Sequence, residues 1–183
     1  MDKFRQITLP MDRKTIDSLH AGDTVLLSGV VYSARDAAHL RMKRCIISGG
    51  ELPFDLHGQT IFYMGPSDTK PGNVIGAAGP TSSYRMDPFT PALLEIGLQA
   101  MIGKGPRSQE VIDAVVKHGA VYFAAVGGTA ALLSKRITVY QIIAYEDLGT
   151  EAIRRLELKD FPAMVALDRY GNDQYTLGPQ AYK

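Results

Sequence analysis

Residues 24–47 read TVLLSGVVYSARDAAHLRMKRCII, in which a strand-like segment is followed within three residues by a helix-like one. Thr24 to Tyr32 is rich in β-branched and apolar side chains and follows a Gly22-Asp23 turn, so it predicts a strand. From Asp36 to Ile47 the chain consists mainly of residues that favour a helix, among them Ala, Leu, Met, Lys and Arg. The stretch therefore predicts a strand-to-helix turn with Arg35 at its hinge.

The rest of the chain continues this alternation with short Gly and Pro breaks, and no linker or repeat divides it. Further strands are predicted at residues 61–64, 73–78, 120–126, 137–145 and 163–167. Further helices are predicted from Thr90-Pro91 onward with Leu94, Leu98 and Met101 on one side, from Ser108 to Gly119, at 130–134 and at 151–156. We therefore expect one α/β domain over residues 1–183, with 1–21 and 175–183 as candidate interface arms.

Composition and charge exclude several classes of partner. The 183 residues are 45% hydrophobic and 21% charged, which is typical of a globular domain. The net charge of +1 gives no overall field for binding nucleic acid or an anionic membrane. No apolar run reaches the roughly 18–20 residues that span a bilayer, and the first residues do not form a secretory signal. We therefore expect a cytoplasmic protein that binds neither nucleic acid nor membrane.

The chain has one cysteine, Cys45, which limits its metal chemistry. A single thiol forms no internal disulfide, which fits a reducing compartment. It also cannot alone hold a zinc site or an iron–sulfur cluster, since those need several thiolates. The simplest interpretation of Cys45 is a small, buried hydrophobic residue.

Residues 79–91, GPTSSYRMDPFTP, concentrate groups that bind anions, and the turn IGKG (102–105) follows them. The loop offers hydroxyls at 81–83 and the guanidinium of Arg85. A small dicarboxylate needs two separated cationic anchors, and Arg35, Arg85 and Lys104 provide such groups. Each of these cations taken alone also fits a solvated surface charge. The glycines match neither a dinucleotide fingerprint nor a P-loop.

Arg35 precedes a predicted helix, where a cation is disfavoured unless an anion lies between it and the helix. That position favours ligand binding by Arg35. His39, one turn later, fits either a proton shuttle or a packed histidine with a local hydrogen bond. Asp36 fits a helix cap or a group that orients Arg35, and Asp87 fits a group that fixes the loop.

The loop 79–91 and the IGKG turn resemble the C-terminal domain, or separate β subunit, of class I fumarate hydratases. The resemblance extends from about residue 22 to the turn at 171–173 through SARDAAH (33–39), ELP (51–53), YMGP (63–66), YFAAVGG (122–128), AYEDLG (144–149) and DFPA (160–163).

This resemblance implies a fold of the swivelling β/β/α type, with a mixed central sheet flanked by helices. It implies reversible hydration of fumarate to malate at a [4Fe–4S] cluster. Because Cys45 alone cannot hold that cluster, no metal ligand and no cofactor are expected in this chain, and a cluster-bearing α subunit is the implied partner. The active site would form between the subunits, this chain would be inactive alone, and β subunits are candidates to form a homodimer.

By motif position, the resemblance implies that Arg35, Arg85 and Lys104 bind substrate carboxylates. Thr81 would touch the substrate and is a candidate for proton transfer with help from a neighbouring cation or from His39. Asp36, Ser82 and Asp87 would support these groups. The family more often has threonine where this chain has Ser82, and Tyr84 is bulkier than the small residue expected there.

Two alternatives stay open at the level of sequence. One is the β subunit of L-tartrate dehydratase, which shares the metal chemistry, although residues 86–91 look more like the fumarase version. The other is a non-catalytic module that binds a dicarboxylate.

Overall fold

The computed structural model describes residues 4–180 as a mixed α/β domain built on one seven-stranded sheet. The strands are β1 (Arg5–Leu9), β2 (Thr24–Ser33), β3 (Thr60–Phe62), β4 (Ala100–Gly103), β5 (Val121–Ala124), β6 (Ile137–Ala144) and β7 (Ile153–Leu167). The α-helices are α1 (Arg13–Asp17), α2 (Asp36–Ile47), α3 (Thr90–Glu95), α4 (Gln109–His118), α5 (Ala130–Leu133) and α6 (Gln174–Gln180). Short 3-10 helices lie at Ser83–Met86, Ser134–Arg136 and Glu146–Glu151.

Strands β1 to β5 are parallel to their neighbours in the order β1-β2-β3-β4-β5, and β7 runs antiparallel to β2, β5 and β6. Because β7 pairs with both β2 and β5, the pairings among β2, β3, β4, β5 and β7 close into a ring. Parallel strands end at the same edge of a sheet, so the carboxyl ends of β2 to β5 lie together. That edge carries the segments that follow Ser33, Phe62, Gly103 and Ala124.

The strands of the ring separate two hydrophobic clusters. One cluster contains Phe62 and Phe161, whose rings meet edge to face with centroids 5.3 Å apart. The other contains Ile61 and Tyr63 together with buried residues of α2, α3 and α4, such as Met42. Neighbouring residues of a strand point to opposite faces, which is why 61 and 63 join one cluster and 62 the other. Helices α2 to α4 therefore cover the outer face of the parallel strands.

Most of the predicted elements are confirmed. The helix predicted at Asp36 to Ile47 is α2 with the same bounds, and the strand predicted from Thr24 is β2. The predicted helix after Ser108 is α4, whose N-cap hydroxyl accepts from Val111 N and whose C-cap Gly119 is left-handed at φ 65°. A mixed α/β fold is thus confirmed, whereas the finer swivelling β/β/α assignment stays a prediction.

The predicted helix at 151–156 is wrong, because Glu151 ends a 3-10 helix and the long strand β7 begins at Ile153. Its burial alternates over residues 155–159 and again over 160–165, and Arg154 and Arg155 pair with residues of both β2 and β6. The strand predicted at 163–167 is the end of the same element. Six residues of mixed composition have little intrinsic preference for helix or strand. Pairing with a strand on each side therefore determines that the segment becomes a strand.

The predictions for the segments at 73–78 and 98–101 are also wrong. Residues 73–78 form no strand but fold back on residues 67–68, where a Cβ on Gly76 would lie 2.0 Å from the Ser67 carbonyl oxygen. The helix that begins at Thr90 ends at Glu95, and Met101 lies in β4, which the sequence reading missed. Gly97, at φ 105°, follows the helix directly and redirects the chain into β4.

The two terminal segments proposed as interface arms have regular structure. Residues 5–9 form β1, which pairs with β2, and residues 174–180 form α6. Residues 1–3 and 181–183 lie outside the described residues. A role of either segment in an interface stays a prediction. Within residues 4–180, no helix combines the length and apolar character needed to cross a membrane.

Gly29 allows β1 to join the sheet, which gives a test of the fold. It lies opposite Leu9 with φ 122°, and a Cβ there would be 2.2 Å from the Leu9 carbonyl oxygen. We expect Gly29→Ala to lower the free energy of unfolding by about 2–4 kcal/mol, through strain and displacement of β1.

Gly58→Ala is the control, because Gly58 also has a positive φ of 74° but has open space around it. It should lower the free energy by about 1–2 kcal/mol. Equal losses for the two variants in urea titrations would mean that the close approach contributes nothing.

Candidate functional site

The carboxyl edge of the parallel strands brings the predicted site segments together. Arg35 lies two residues beyond β2, and Lys104 directly follows β4. The loop 79–87 lies across the same edge, because Thr81 N donates to Tyr63 O at 2.7 Å and Ser83 N donates to Lys104 O at 2.9 Å. Two segments that are distant in sequence thus become neighbours through main-chain hydrogen bonds.

Lys104 lies beside the hydroxyl-bearing part of the loop. Ser82 forms an isolated parallel bridge with Lys104, and the Ser83 hydroxyl accepts from Lys104 N at 3.1 Å. On its other side the lysine side chain runs past Gly127, where a Cβ would be 3.7 Å from Lys104 Nζ. The structure therefore groups Lys104 with Thr81 and Ser82, whose roles at a substrate stay predictions. Ser83 is buried and supports the backbone instead of facing solvent.

Arg85 and Arg35 share one carboxylate, that of Asp36. Arg85 Nε lies 2.9 Å from Asp36 Oδ1, and Arg35 Nη2 lies 3.8 Å from Asp36 Oδ2. The Arg85 side chain remains 43% exposed. Asp36 is the first residue of α2 and Arg35 is its N-cap, so Asp36 contacts both arginines and does not serve as the N-cap residue. This single carboxylate fixes the position of one guanidinium relative to the other.

A second carboxylate near Arg35, that of Glu151, was missed by the sequence reading. Glu151 Oε1 lies 3.5 Å from Arg35 Nη2, and Glu151 Oε2 accepts from Ala37 N at 2.7 Å. An anion between Arg35 and the helix start was expected from a ligand, and Glu151 supplies one from the chain itself. No local signal could have revealed this contact, because 114 residues separate Glu151 from Ala37.

Arg154 holds the loop that presents Glu151. It is buried, and its guanidinium donates to the carbonyl oxygens of Gly149 at 2.6 Å, Thr150 at 3.0 Å and Ala152 at 2.8 Å. These carbonyls flank Glu151 on both sides. The position of the carboxylate is thus determined by a rigid loop.

His39 is fully buried on α2, away from solvent. Its Nδ1 lies 2.8 Å from the Arg35 carbonyl oxygen, so the neutral ring donates from Nδ1. Burial lowers the pKa of His39 to about 4, which keeps the ring neutral near pH 7. This is the geometry of a packed histidine with a local hydrogen bond, and it fixes the backbone at Arg35. A role of His39 in proton transfer stays a prediction.

Asp87 lies beneath the loop, in contact with Arg107, a residue that the sequence reading did not select. Asp87 Oδ1 accepts from Arg107 Nε at 2.7 Å, and Asp87 Oδ2 accepts from Ser108 N at 2.7 Å. Asp87 therefore fixes the end of the site loop, as a supporting residue would.

The arrangement favours binding of a small anion with more than one carboxylate. Three cations, Arg35, Arg85 and Lys104, face one edge, and two carboxylates partly neutralise them. Within residues 4–180, Arg35 Nε is buried without a hydrogen-bond partner and Arg35 Nη2 lies 3.5 Å or more from the two carboxylates, so this guanidinium keeps donors for a ligand. Arg85 Nε is paired with Asp36 at 2.9 Å, and its side chain is 43% exposed. Two cavities of about 720 and 510 Å³ lie elsewhere, around residues 67–77 and 126–136. The cationic edge is thus an open face.

The described part of the chain offers no metal centre. Between residues 4 and 180, no three His, Cys, Asp or Glu side chains are grouped so that they could hold an ion. Cys45 is half-buried on α2, and its thiol lies 3.0 Å from the Glu51 carbonyl oxygen. An iron–sulfur cluster therefore does not fit the residues described.

The chain is similar to several known proteins. The family model described as Fumarase C-terminus matches residues 1–178. "Fumarate hydratase class I, anaerobic" of Escherichia coli is 42% identical over 149 residues, covering 80% of this chain and 27% of that protein. "Fumarate hydratase 2" of Leishmania major is 37% identical over 171 residues, covering 91% of this chain and 30% of that protein. This chain thus spans less than a third of either relative.

A third relative is close to this chain in length. "Putative L(+)-tartrate dehydratase subunit beta" of Methanocaldococcus jannaschii is 36% identical over 171 residues, covering 90% of this chain and 88% of that protein.

The buried His39 predicts a pH dependence of stability. The unfolded ring titrates near its ordinary pKa of 6.5 and the folded ring near 4, so the unfolded state binds the extra proton between these values. Stability from this group is present above pH 6.5 and is lost as the pH falls towards 4. Between pH 7 and pH 5, wild type should therefore lose about 2 kcal/mol more than His39→Gln.

Urea titrations at the two pH values measure this difference. His57→Gln serves as the control, since His57 is exposed, and it should follow the wild type. A His39→Gln variant with the wild-type pH dependence would contradict the assignment of a neutral buried ring.

Glu151 gives a second test, which separates its hydrogen bond from its charge. Glu151→Ala removes the acceptor for Ala37 N, so we expect the free energy of unfolding to fall by about 1–3 kcal/mol. Glu151→Gln keeps an acceptor and should lose less than half of that. Glu146→Ala, in the same 3-10 helix but exposed, should stay within about 0.5 kcal/mol of wild type. Equal losses for the alanine and glutamine variants would show that charge, and not the hydrogen bond, dominates.

Proposed function

This chain belongs to the Fumarase C-terminus family, and we propose that it is the β subunit of a two-subunit fumarate hydratase that interconverts fumarate and malate. The observation that carries the proposal is the convergence of Arg35, Arg85, Lys104 and the Thr81 hydroxyl on one open edge of the sheet. The match covers residues 1–178, and fumarate hydratases are among the relatives.

The anchors form two groups that suit the two ends of a dicarboxylate. Arg35 and Arg85 are joined through Asp36, whereas Lys104 lies with Thr81 and Ser82. A guanidinium binds a carboxylate through two parallel hydrogen bonds, and an ammonium adds a point charge with adaptable donors. In the proposed complex, one carboxylate lies on the arginine group and the other on the lysine group.

Thr81 is the candidate for proton transfer at the substrate. An unperturbed hydroxyl is a weak base, but an adjacent cation favours its deprotonated form. We assign this role to Lys104, whose backbone pairs with Ser82, the residue next to Thr81. His39 is packed beneath Arg35, so in this scheme it acts on the position of Arg35 and needs no contact with the substrate.

A cluster-bearing α subunit is the proposed partner. The fumarate hydratases compared here are more than three times as long as the segment that they share with this chain. Among residues 4–180, no three His, Cys, Asp or Glu side chains are grouped so that they could hold an ion, so we assign the [4Fe–4S] cluster implied by the resemblance to that partner. The open face around Arg85 is the surface that such a partner would cover. On this basis the isolated chain has no hydratase activity of its own.

A tartrate dehydratase β subunit is the second candidate, because the relative with that name is matched over 88% of its length. Both proposals use the same cationic residues to bind the two carboxylates. They differ in the substrate, because tartrate and malate carry different hydroxyl groups. Rates of the reconstituted complex on malate and on tartrate decide between them. Tight binding of dicarboxylates by the isolated chain in calorimetric titration would instead favour a non-catalytic binding module.

Arg85→Ala tests the site in the complex reconstituted anaerobically with its partner, with fumarate followed by its ultraviolet absorbance. Loss of a charged hydrogen bond is worth about 1.5–3 kcal/mol, so kcat/KM should fall by about 10- to 150-fold. The control is Arg44→Ala, because Arg44 is exposed at the far end of α2, and its kcat/KM should be unchanged.

The failures of this experiment have different meanings. Unchanged kinetics of Arg85→Ala in an active complex would remove Arg85 from the site. A cluster-loaded wild-type complex that acts on neither fumarate, malate nor tartrate would overturn the proposed function as a whole.

A further inference from the structure

A buried charge lies directly beneath the site. The Arg107 side chain is 1% exposed and its partner Asp87 is 10% exposed. Both carboxylate oxygens of Asp87 are used, one by Arg107 Nε at 2.7 Å and the other by Ser108 N at 2.7 Å. The charge of Arg107 is therefore compensated within the interior, at the start of α4.

The other nitrogens of Arg107 reach three further elements. Its Nη2 donates to Thr90 Oγ1 at 2.8 Å, and that hydroxyl donates to Met86 O at 2.9 Å. The guanidinium lies 5.4 Å from the ring of Tyr63 and 5.0 Å from the ring of Tyr122, within range of cation–π attraction. One side chain thus connects the site loop, α3, the residue after β3 and the first half of β5.

The same region contains a chain of hydrogen bonds that joins the two site segments. Lys104 N donates to Ser83 Oγ at 3.1 Å, Ser83 Oγ lies 2.9 Å from the Tyr122 hydroxyl, and that hydroxyl donates to Gly105 O at 2.9 Å. Burial raises the pKa of Tyr122, which keeps its hydroxyl protonated as a donor. Space is tight here, since a Cβ on Gly103 would lie 2.0 Å from Ser83 Oγ.

The positions of Asp87 and Arg107 relate this network to the substrate anchors. Asp87 lies two residues after Arg85, and Arg107 lies three residues after Lys104. Neither anchor segment can shift without separating a buried arginine from its carboxylate, which is strongly unfavourable in a low-dielectric interior. The ion pair therefore links the segments that carry two cations, Arg85 in a 3-10 helix and Lys104 directly after β4.

We infer that Arg107 is a positioning residue for the dicarboxylate site, which with Asp87 fixes Arg85 relative to Lys104. This inference rests on the proposed function. A buried ion pair contributes little net stability compared with well-packed apolar residues, so stability alone is a poor explanation for it. A role in positioning the binding groups explains the ion pair better, because displacement of a binding group by about 1 Å lowers rates by about 100-fold.

The test compares Arg107→Met with the double variant Asp87→Asn/Arg107→Met. The single variant leaves Asp87 buried without its partner, so its urea midpoint should fall sharply. The double variant removes both charges, keeps an acceptor for Ser108 N and should regain most of the midpoint. Its kcat/KM for fumarate in the reconstituted complex should nevertheless remain about 10- to 100-fold below wild type, mainly through a higher KM.

Amide hydrogen exchange of the isolated chain gives a measure that needs no activity. In the double variant, residues 82–85 and 103–105 should exchange at least about ten times faster than in wild type, whereas α2 should be unchanged. Arg44→Met, the same substitution at an exposed position, should alter neither exchange nor kinetics.

The outcomes are distinguishable. A double variant that regains the midpoint, the exchange rates and kcat/KM would show that the pair is structural only and would overturn the inference. An inactive wild-type complex would overturn the proposed function, and in that case the exchange rates still decide whether Arg107 holds the two segments together.

Discussion

The antiparallel pairing of β7 with both β2 and β5 is the constraint on which the rest of the structure depends. Without it, β2 to β5 would form an open parallel sheet with free edges, and the ends of β2 and β5 would lie three strands apart. With it, the four carboxyl ends surround one region. The loops after Ser33, Phe62, Gly103 and Ala124 therefore face one another, and residues from distant parts of the chain can contact a single small molecule.

The charges around Arg35 attract its guanidinium without occupying its hydrogen-bond donors, whereas Arg85 Nε is paired with Asp36 at 2.9 Å. Asp36 and Glu151 lie 3.5–3.8 Å from the Arg35 guanidinium, which is close enough for attraction but longer than a good hydrogen bond. A ligand carboxylate that forms two short bonds would therefore gain hydrogen bonds without first breaking strong ones. The two carboxylates also reduce the mutual repulsion of three cations, which would otherwise oppose folding of the edge.

The secondary structure could be predicted from the sequence where neighbouring residues determine it. The α2 bounds follow from helix-forming residues, and the ends of α4 follow from Ser108 and Gly119. Prediction failed for β7 and β4, because their conformations depend on strands far away in the chain.

The same division holds for the site. The resemblance supplied Arg35, Thr81, Arg85 and Lys104, and the structure brings them to one edge. Glu151 and Arg107 carry no local motif and act through tertiary contacts, 114 residues apart in the case of Glu151 and Ala37. Arg154 donates to carbonyl groups only two to five residues away, but no motif marks it either. Residues that position other residues are therefore the part of a site that a single sequence conceals.

The exposure of the site is consistent with the partner that we propose. An Arg–carboxylate contact at a surface with 43% of the Arg85 side chain exposed is screened by water, and such contacts contribute about 1 kcal/mol or less. Covering the edge would lower the local dielectric and strengthen every charge–charge contact there. Binding of the dicarboxylate and covering of the edge by the partner would then be coupled. That coupling needs only that the two surfaces meet, so it works equally well when the partner is a separate chain and when it is part of a longer polypeptide.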